Sequence, residues 1–243
     1  HVKRRRQRQM CIRDRRITMT NQDKTVLVTG GSGFIATHCI LKLAAAGYKI
    51  KSTVRNLDRV SDLNKILDEA GSTYERLNKI DVDWVSADLT KDEGWSEAVK
   101  GCDYVMHVAS PVALEEPKDE NDLIVPAREG TLRVIKAANE EGVKKIVLTS
   151  SVAAIIYGHE KDSFNEEDWT DTDAEGCSAY NKSKTYAEKA AWDFVNSDEC
   201  NMELSVINPS LVLGPVLESD FGTSVELVKR FLYGGFPLAP KIS

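Results

Sequence analysis

From Lys24 to Asn208, short apolar runs alternate with helix-patterned stretches, and this alternation leaves few architectures open to the chain. Lys24–Thr29, Lys49–Arg55, Val82–Ala87, Asp103–Val108, Lys144–Thr149 and Met202–Asn208 have the length and branched composition of buried strands. Phe34–Ala46, Asp58–Ala70, Glu93–Val99, Asn121–Glu141 and Ser178–Asn196 fill the gaps as helices, the fourth interrupted by Pro126. In the first of these, Ile35, Cys39, Leu43 and Ala46 form one stripe and Gly47 closes it. Strand following helix throughout predicts an α/β fold, a doubly wound parallel sheet with helices on both faces. Residues 159–176, rich in Asp and Glu around Trp169, break the rhythm and read as a functional loop or lid, or as a plain solvated loop. Beyond the sixth run come Asn208-Pro209, a helix near Val225–Tyr233, and Phe236-Pro237-Leu238-Ala239-Pro240. We expect one domain over residues 19–209, and a small C-terminal substrate lobe that begins at 210 and is truncated at 243.

Charge is uneven along the chain. Residues 1–18 hold eight Lys or Arg against Asp14, and that net +7 leaves −13 on residues 19–243 out of a total of −6. So acidic a body argues against nucleic-acid binding. The basic leader has neither strand nor helix periodicity and lacks the apolar centre of a secretory signal. It reads as non-native or disordered sequence ahead of a start at Met19. No run approaches the roughly eighteen apolar residues of a membrane span. Cys11, Cys39, Cys102, Cys177 and Cys200 are widely spaced, with no metal-binding pattern, and read as reduced thiols of a cytoplasmic protein.

Thr29-Gly30-Gly31-Ser32-Gly33-Phe34-Ile35-Ala36 joins the first strand to the first helix. Glycines often serve ordinary turns; this position is the one that gives them a ligand. Gly30 suits the tight turn, Gly33 lets a pyrophosphate approach the backbone, and the small Ala36 permits close packing of helix on strand. The backbone around Gly31, Ser32, Phe34 and Ile35 then offers N–H groups to phosphate at the helix N-terminus. At the end of the second strand, Arg55, with Arg59 one turn on, suits a ribose 2′-phosphate and favours NADP(H) over NAD(H). In the alternative, Arg55 is solvated and Asp58 serves the ribose of NAD. Asp88-Leu89 ends the third strand, where a carboxylate meets the adenine amino group. Val108-Ala109-Ser110-Pro111 ends the fourth, where small residues admit the cofactor. His107 reads as a packed strand residue rather than a base, and Asn208-Pro209 as a neighbour of the nicotinamide.

Tyr180-Asn181-Lys182-Ser183-Lys184 sets a phenol and an ammonium four residues apart, on one face of a helix. A neighbouring ammonium lowers a phenol's pKa from about 10 by favouring the phenolate. The spacing recurs by chance in ordinary helices, and its position downstream of the glycine turn is what distinguishes it.

Taken in order, Gly30-x-x-Gly33-x-x-Ala36, Asp88-Leu89, Ser151, Tyr180-x-x-x-Lys184 and Asn208-Pro209 resemble the extended short-chain dehydrogenase/reductases, in the NAD-dependent epimerase/dehydratase superfamily. Val54-Arg55, Val108-Ala109-Ser110-Pro111, Phe164-Asn165-Glu166-Glu167-Asp168-Trp169 and Asn208–Pro215 resemble more closely the dihydroflavonol 4-reductase, cinnamoyl-CoA reductase and methylglyoxal reductase group. Ala36 departs from the glycine of many members. The resemblance implies a Rossmann domain and NADPH-dependent reduction of a small aldehyde or ketone. Tyr180 would donate the proton, Lys184 would tune Tyr180 and hold the nicotinamide ribose, and Ser151, chosen over Ser150 by alignment, would orient the carbonyl. Pro209 would touch the cofactor. Two alternatives are a nucleotide-sugar epimerase or dehydratase with tightly held NAD, which Arg55 disfavours, and a non-catalytic NADP-sensing protein. Monomer and homodimer both remain open.

Overall fold

The computed structural model describes residues 21–112, 116–217 and 222–233. The basic leader, Met19 and the 236–240 stretch lie outside the described residues. Six strands, β1 (Thr25–Val28), β2 (Lys49–Val54), β3 (Val82–Ser86), β4 (Tyr104–His107), β5 (Lys145–Thr149) and β6 (Glu203–Ile207), form one sheet in the order β3-β2-β1-β4-β5-β6. Every pairing is parallel. The strand order therefore reverses between β1 and β4, which opens a crevice at their carboxyl ends, where doubly wound sheets bind ligands. The fold is the Rossmann-type α/β arrangement that the alternation predicts.

The helices are α1 (Phe34–Ala45), α2 (Val60–Ala70), α3 (Trp95–Val99), α4 (Asn121–Glu140), α5 (Ala179–Val195) and α6 (Gly222–Leu232). Two begin later than the periodicity suggests. Asn56 Oδ1 accepts the Asp58 N–H, so the chain first makes a tight turn at Leu57–Arg59 and α2 starts only at Val60. Gly94 has φ +88°, and a Cβ there would lie 2.2 Å from the Ser86 carbonyl oxygen, so the chain must cross the end of β3 before α3 can start. Pro126 lies in the second turn of α4, and the helix runs through it.

Side chains alternate across the sheet. On one face Leu27, Val105, Ile146 and Leu148 pack with Val134 and Ala138 of α4 and Ala191 of α5. On the other, Val28 and Ile50 meet Ala36, Ile40 and Leu41 of α1 and Leu67 of α2. Complete burial of such a side chain contributes about 1.5–3 kcal/mol. Lys51, a cation in an interior strand, is buried with its Nζ on the carbonyls of Glu97 (2.7 Å) and Lys100 (3.2 Å), capping the end of α3. At the amino ends of the strands, Asp103 binds Lys144 Nζ (2.7 Å), Lys24 Nζ (3.0 Å) and the Thr25 N–H (3.1 Å). These bonds, led by those from Lys144 and Lys24, hold its carboxyl well below the usual carboxylate range.

Residues 159–176 contain neither helix nor strand. Thr170 nevertheless is buried, its hydroxyl donating to the Ala153 carbonyl (2.7 Å) and accepting the Tyr157 N–H (3.0 Å). The loop thus folds back onto the turn that follows Ser151.

Candidate active site

The glycine turn spans the reversal in strand order. Gly30 has φ +71°, a conformation that favours glycine, and a Cβ there would stand 3.0 Å from the Ala109 Cβ. Its N–H donates to Thr53 Oγ1 (2.9 Å) and that of Gly31 to the Thr53 carbonyl (2.8 Å), tying the turn to β2. Gly31 and Gly33 differ sharply in surroundings. A Cβ on Gly31 would meet Ser52 Oγ at 2.1 Å and the Trp84 ring at 2.6 Å, whereas one on Gly33 would meet only the Gly30 carbonyl oxygen, at 3.2 Å. Gly31 is needed for packing; Gly33 leaves open space. No side chain caps α1 and its first turn holds no acid. Its leading N–H groups, those of Phe34 and Ile35 among them, have no partner within the helix. An uncapped N-terminus beside an open glycine fits the pyrophosphate of a dinucleotide. The side chains of Phe34 and Ile35 line an apolar groove of about 520 Å³ with Met106, Val212 and Leu213.

At the end of β2, Arg55 is exposed, as are Asp58 and Arg59 on the following turn. Asp88, across from them, accepts the backbone N–H and hydroxyl of Thr90 on Oδ1. These bonds and the nearby Arg55 hold its carboxyl below the ordinary value. Leu89 is committed to α4: its carbonyl accepts from Arg133 (2.9 Å), and its side chain occupies the space where a Cβ on Gly130 would fall, at 2.8 Å.

Thr29 organises the end of β4. Its hydroxyl oxygen accepts the N–H groups of Val108 and Ala109 (3.0 Å each) and lies 2.8 Å from His107 Nδ1. Because the hydroxyl proton remains to be given, Nδ1 accepts it and Nε2 carries the ring hydrogen. Full burial pushes the His107 pKa down to about 3, so the ring is neutral. It is a packed strand residue.

On the other side, Ser178 caps α5, its hydroxyl accepting the Asn181 N–H (3.2 Å), and this fixes the turn carrying Tyr180. Lys184 is 8 % exposed. Its Nζ stands 5.7 Å from the centre of the Tyr180 ring and donates to Ser110 Oγ (3.0 Å). Burial lowers the Lys184 pKa to about 8, with Glu188 acting in the opposite direction. Ser151 is buried at the head of the turn Val152–Ala154, which packs against α5, and its Oγ accepts the Ala153 N–H (3.2 Å). Ser150 is also buried, and its Oγ has no hydrogen-bond partner among the described residues. Asn208, after β6, donates through Nδ2 to the Ser151 carbonyl (3.1 Å) and to Glu188 Oε2 (2.8 Å), while the Pro209 carbonyl accepts the Val152 N–H (3.1 Å).

The glycine turn, Val108-Ala109 and Asp88-Leu89 therefore stand at the carboxyl ends of β1, β4 and β3. The Tyr180–Lys184 pair joins that crevice through Ser110. Sequence reasoning treated Ser110 only as a small residue and passed over Glu188 and Thr29. The signal for Glu188 is the continuation of the Tyr180–Lys184 interval by one more turn; Thr29 has no signal beyond its place before Gly30.

Residues 26–238 match the NAD dependent epimerase/dehydratase family. The chain belongs to that family. Its relatives include an anthocyanidin reductase of Vitis vinifera, 36% identical over 220 residues, a match covering 87% of this chain and 62% of that protein. A dihydroflavonol 4-reductase of Zea mays is 35% identical over 222 residues, covering 88% of this chain and 59% of that protein. Among solved structures, Gre2 from Candida albicans in complex with NADPH superposes with a TM-score of 0.74 at 29% identity, covering 90% of this chain and 68% of that chain. These relatives place the family member in the extended short-chain dehydrogenase/reductase group. The chain spans about three-fifths of the length of the two plant reductases.

Proposed function

We propose that this family member belongs to an NADPH-dependent oxidoreductase that reduces an aldehyde or ketone carbonyl to an alcohol. The observation that carries the reading is the placement of the Lys184 ammonium 5.7 Å from the Tyr180 ring and 3.0 Å from Ser110 Oγ, at the end of the strand that neighbours the glycine turn. When bound, the nicotinamide supplies the hydride to the carbonyl carbon. Tyr180 gives its hydroxyl proton to the carbonyl oxygen, so that hydride and proton together turn C=O into CH–OH. Ser151 donates a hydrogen bond to the same oxygen as negative charge develops there and fixes the face presented. Lys184 stabilises the tyrosyl oxygen once its proton has left, and would hold the ribose hydroxyls of a bound cofactor.

Gly30, Gly31, Ser32, Gly33, Phe34 and Ile35 would hold the pyrophosphate, chiefly through main-chain N–H groups. Asp88, Leu89, Val108, Ala109 and Pro209 would border the remainder. Arg55, with Arg59, would meet the 2′-phosphate. The exposed guanidinium at the end of β2 supports NADPH over NADH, and the complex of the Gre2 relative with NADPH supports the same choice. The four described cysteines are free thiols, which supports a reducing, cytoplasmic setting. Among the described residues no helix is long and apolar enough to cross a membrane.

The test is oxidation of NADPH and NADH by the intact protein over aldehydes, diketones, flavanonols and acyl-CoA thioesters. We expect turnover with at least one carbonyl class and preference for NADPH. Purified protein carrying stoichiometric NAD and inert toward every carbonyl would replace this reading with that of an epimerase or dehydratase.

A further inference from the structure

Tyr180, Lys184 and Glu188 fall at successive four-residue intervals on α5, and so share one face of it. Glu188 is only 6 % exposed. A buried carboxylate is costly unless hydrogen-bonded, and this one is met by Asn208 Nδ2 at 2.8 Å. The same nitrogen donates to the Ser151 carbonyl at 3.1 Å, so both amide hydrogens are in use. The amide orientation follows from its partners, since Oδ1 turned toward a carboxylate and a carbonyl would repel both. Ser151 is thereby held from two directions, by Asn208 on its carbonyl and by the Ala153 N–H on its Oγ.

Lys184 needs a counter-charge. Its Nζ hydrogen bond goes to the neutral Ser110 Oγ. Among the described residues, the ionisable groups that interact with it are Tyr180 and Glu188 on its own helix and His107 on β4, which burial keeps neutral, while the Glu116 carboxylate is engaged at the head of the helix by the Ala179 N–H (2.6 Å). The buried side chains of α4 carry no charge. Among the described residues, Glu188, one helical turn from Lys184 on the same face, is the anion that acts on it through space.

We propose that Glu188 is a positioning residue for the Tyr180–Lys184 pair: its carboxylate locks Asn208 against Ser151 and keeps the Lys184 ammonium protonated. The inference rests on the reductase reading for its consequence in turnover, but its electrostatic half is measurable without substrate or cofactor. Removing the charge leaves burial unopposed, so Lys184 loses its proton at lower pH.

The experiment compares the intact protein with Glu188→Gln, Glu188→Met and Glu188→Asp, each labelled with ¹³C-lysine, the Lys184 resonance being assigned with Lys184→Arg. NMR titration of the apo protein is expected to place the Lys184 midpoint in E188Q lower than in wild type by about half a pH unit or more. E188D restores the wild-type midpoint. E188M gives the same lowering as E188Q and serves if the glutamine variant does not fold. In turnover with NADPH, E188Q loses more kcat at about pH 8.5 than at about pH 6.5, because the basic limb of the profile moves down. An unchanged Lys184 midpoint and an unmoved basic limb, with only a lower melting temperature, would make Glu188 purely structural and overturn the proposal. Absence of carbonyl reduction by the wild type would sink the reductase reading, and the titration alone would then decide the role of Glu188.

Discussion

On the β1 side of the crevice the surface offered to a ligand is main chain, whereas on the β5–β6 side it is side chain. In the proposed reading, Gly30, Gly33 and the start of α1 would act through N–H groups and empty volume. Tyr180, Lys184, Ser151, Ser110, Asn208 and Glu188 would act through functional groups drawn from four separate stretches of chain. The first kind of site fails when a Cβ is added. The second fails when one member of a buried polar set is removed, because the groups left behind stay desolvated without a partner.

The sharpest way to separate the two sides is Tyr180→Phe. Loss of a positioned proton donor should lower kcat by about 10²–10⁴-fold, while the dissociation constant for NADPH, measured by fluorescence titration, changes by no more than a few-fold. A large loss of NADPH affinity would show that the two sides are not separable. Next come the adjacent glycines. Gly33→Ala should fold normally and weaken NADPH binding by tenfold or more, equivalent to about 1.4 kcal/mol. Gly31→Val should instead lower unfolding stability, by about 1–3 kcal/mol from overpacking against Ser52 and Trp84. Equal effects of the two changes on denaturant midpoints would remove the distinction drawn between them.

Arg55→Ala probes the far end of the main-chain side. Loss of a charge-assisted contact worth about 1.5–3 kcal/mol should cut NADPH affinity by roughly tenfold or more and leave NADH untouched. The smallest effect concerns the opposite pole of the sheet. Asp103 has a depressed carboxyl pKa, so its contribution to stability is complete above the unfolded value of about 3.9 and is lost as pH falls below it. Asp103→Asn should therefore flatten the fall of the melting temperature between about pH 5 and pH 3, and leave the kcat profile above pH 6 unmoved.

The same contrast explains what could be read from the residues alone. Strands buried on both faces announce themselves by composition, and all six lie within one residue of the expected ends. The late starts of α2 and α3 were hidden because they depend on an Asn56 side chain and on the approach of Gly94 to Ser86, neither of which has a periodic signature. The glycine turn was legible because its chemistry is local. The Tyr180–Lys184 spacing was visible, but the anchors of that pair were not. Ser110 lies 74 positions from Lys184, and Asn208 lies 20 from Glu188. Only the order of strands brings them together.

Thr29 has a consequence for how the crevice responds to its medium. Its one oxygen engages Val108, Ala109 and His107, and burial, aided by the Lys184 charge, keeps that imidazole beneath the crevice uncharged. With a pKa of about 3, that ring stays silent across the physiological range, whereas an exposed histidine would gain charge near pH 6.5. The floor beneath the proposed dinucleotide site would therefore present the same potential in a mildly acidified cell as in a resting one.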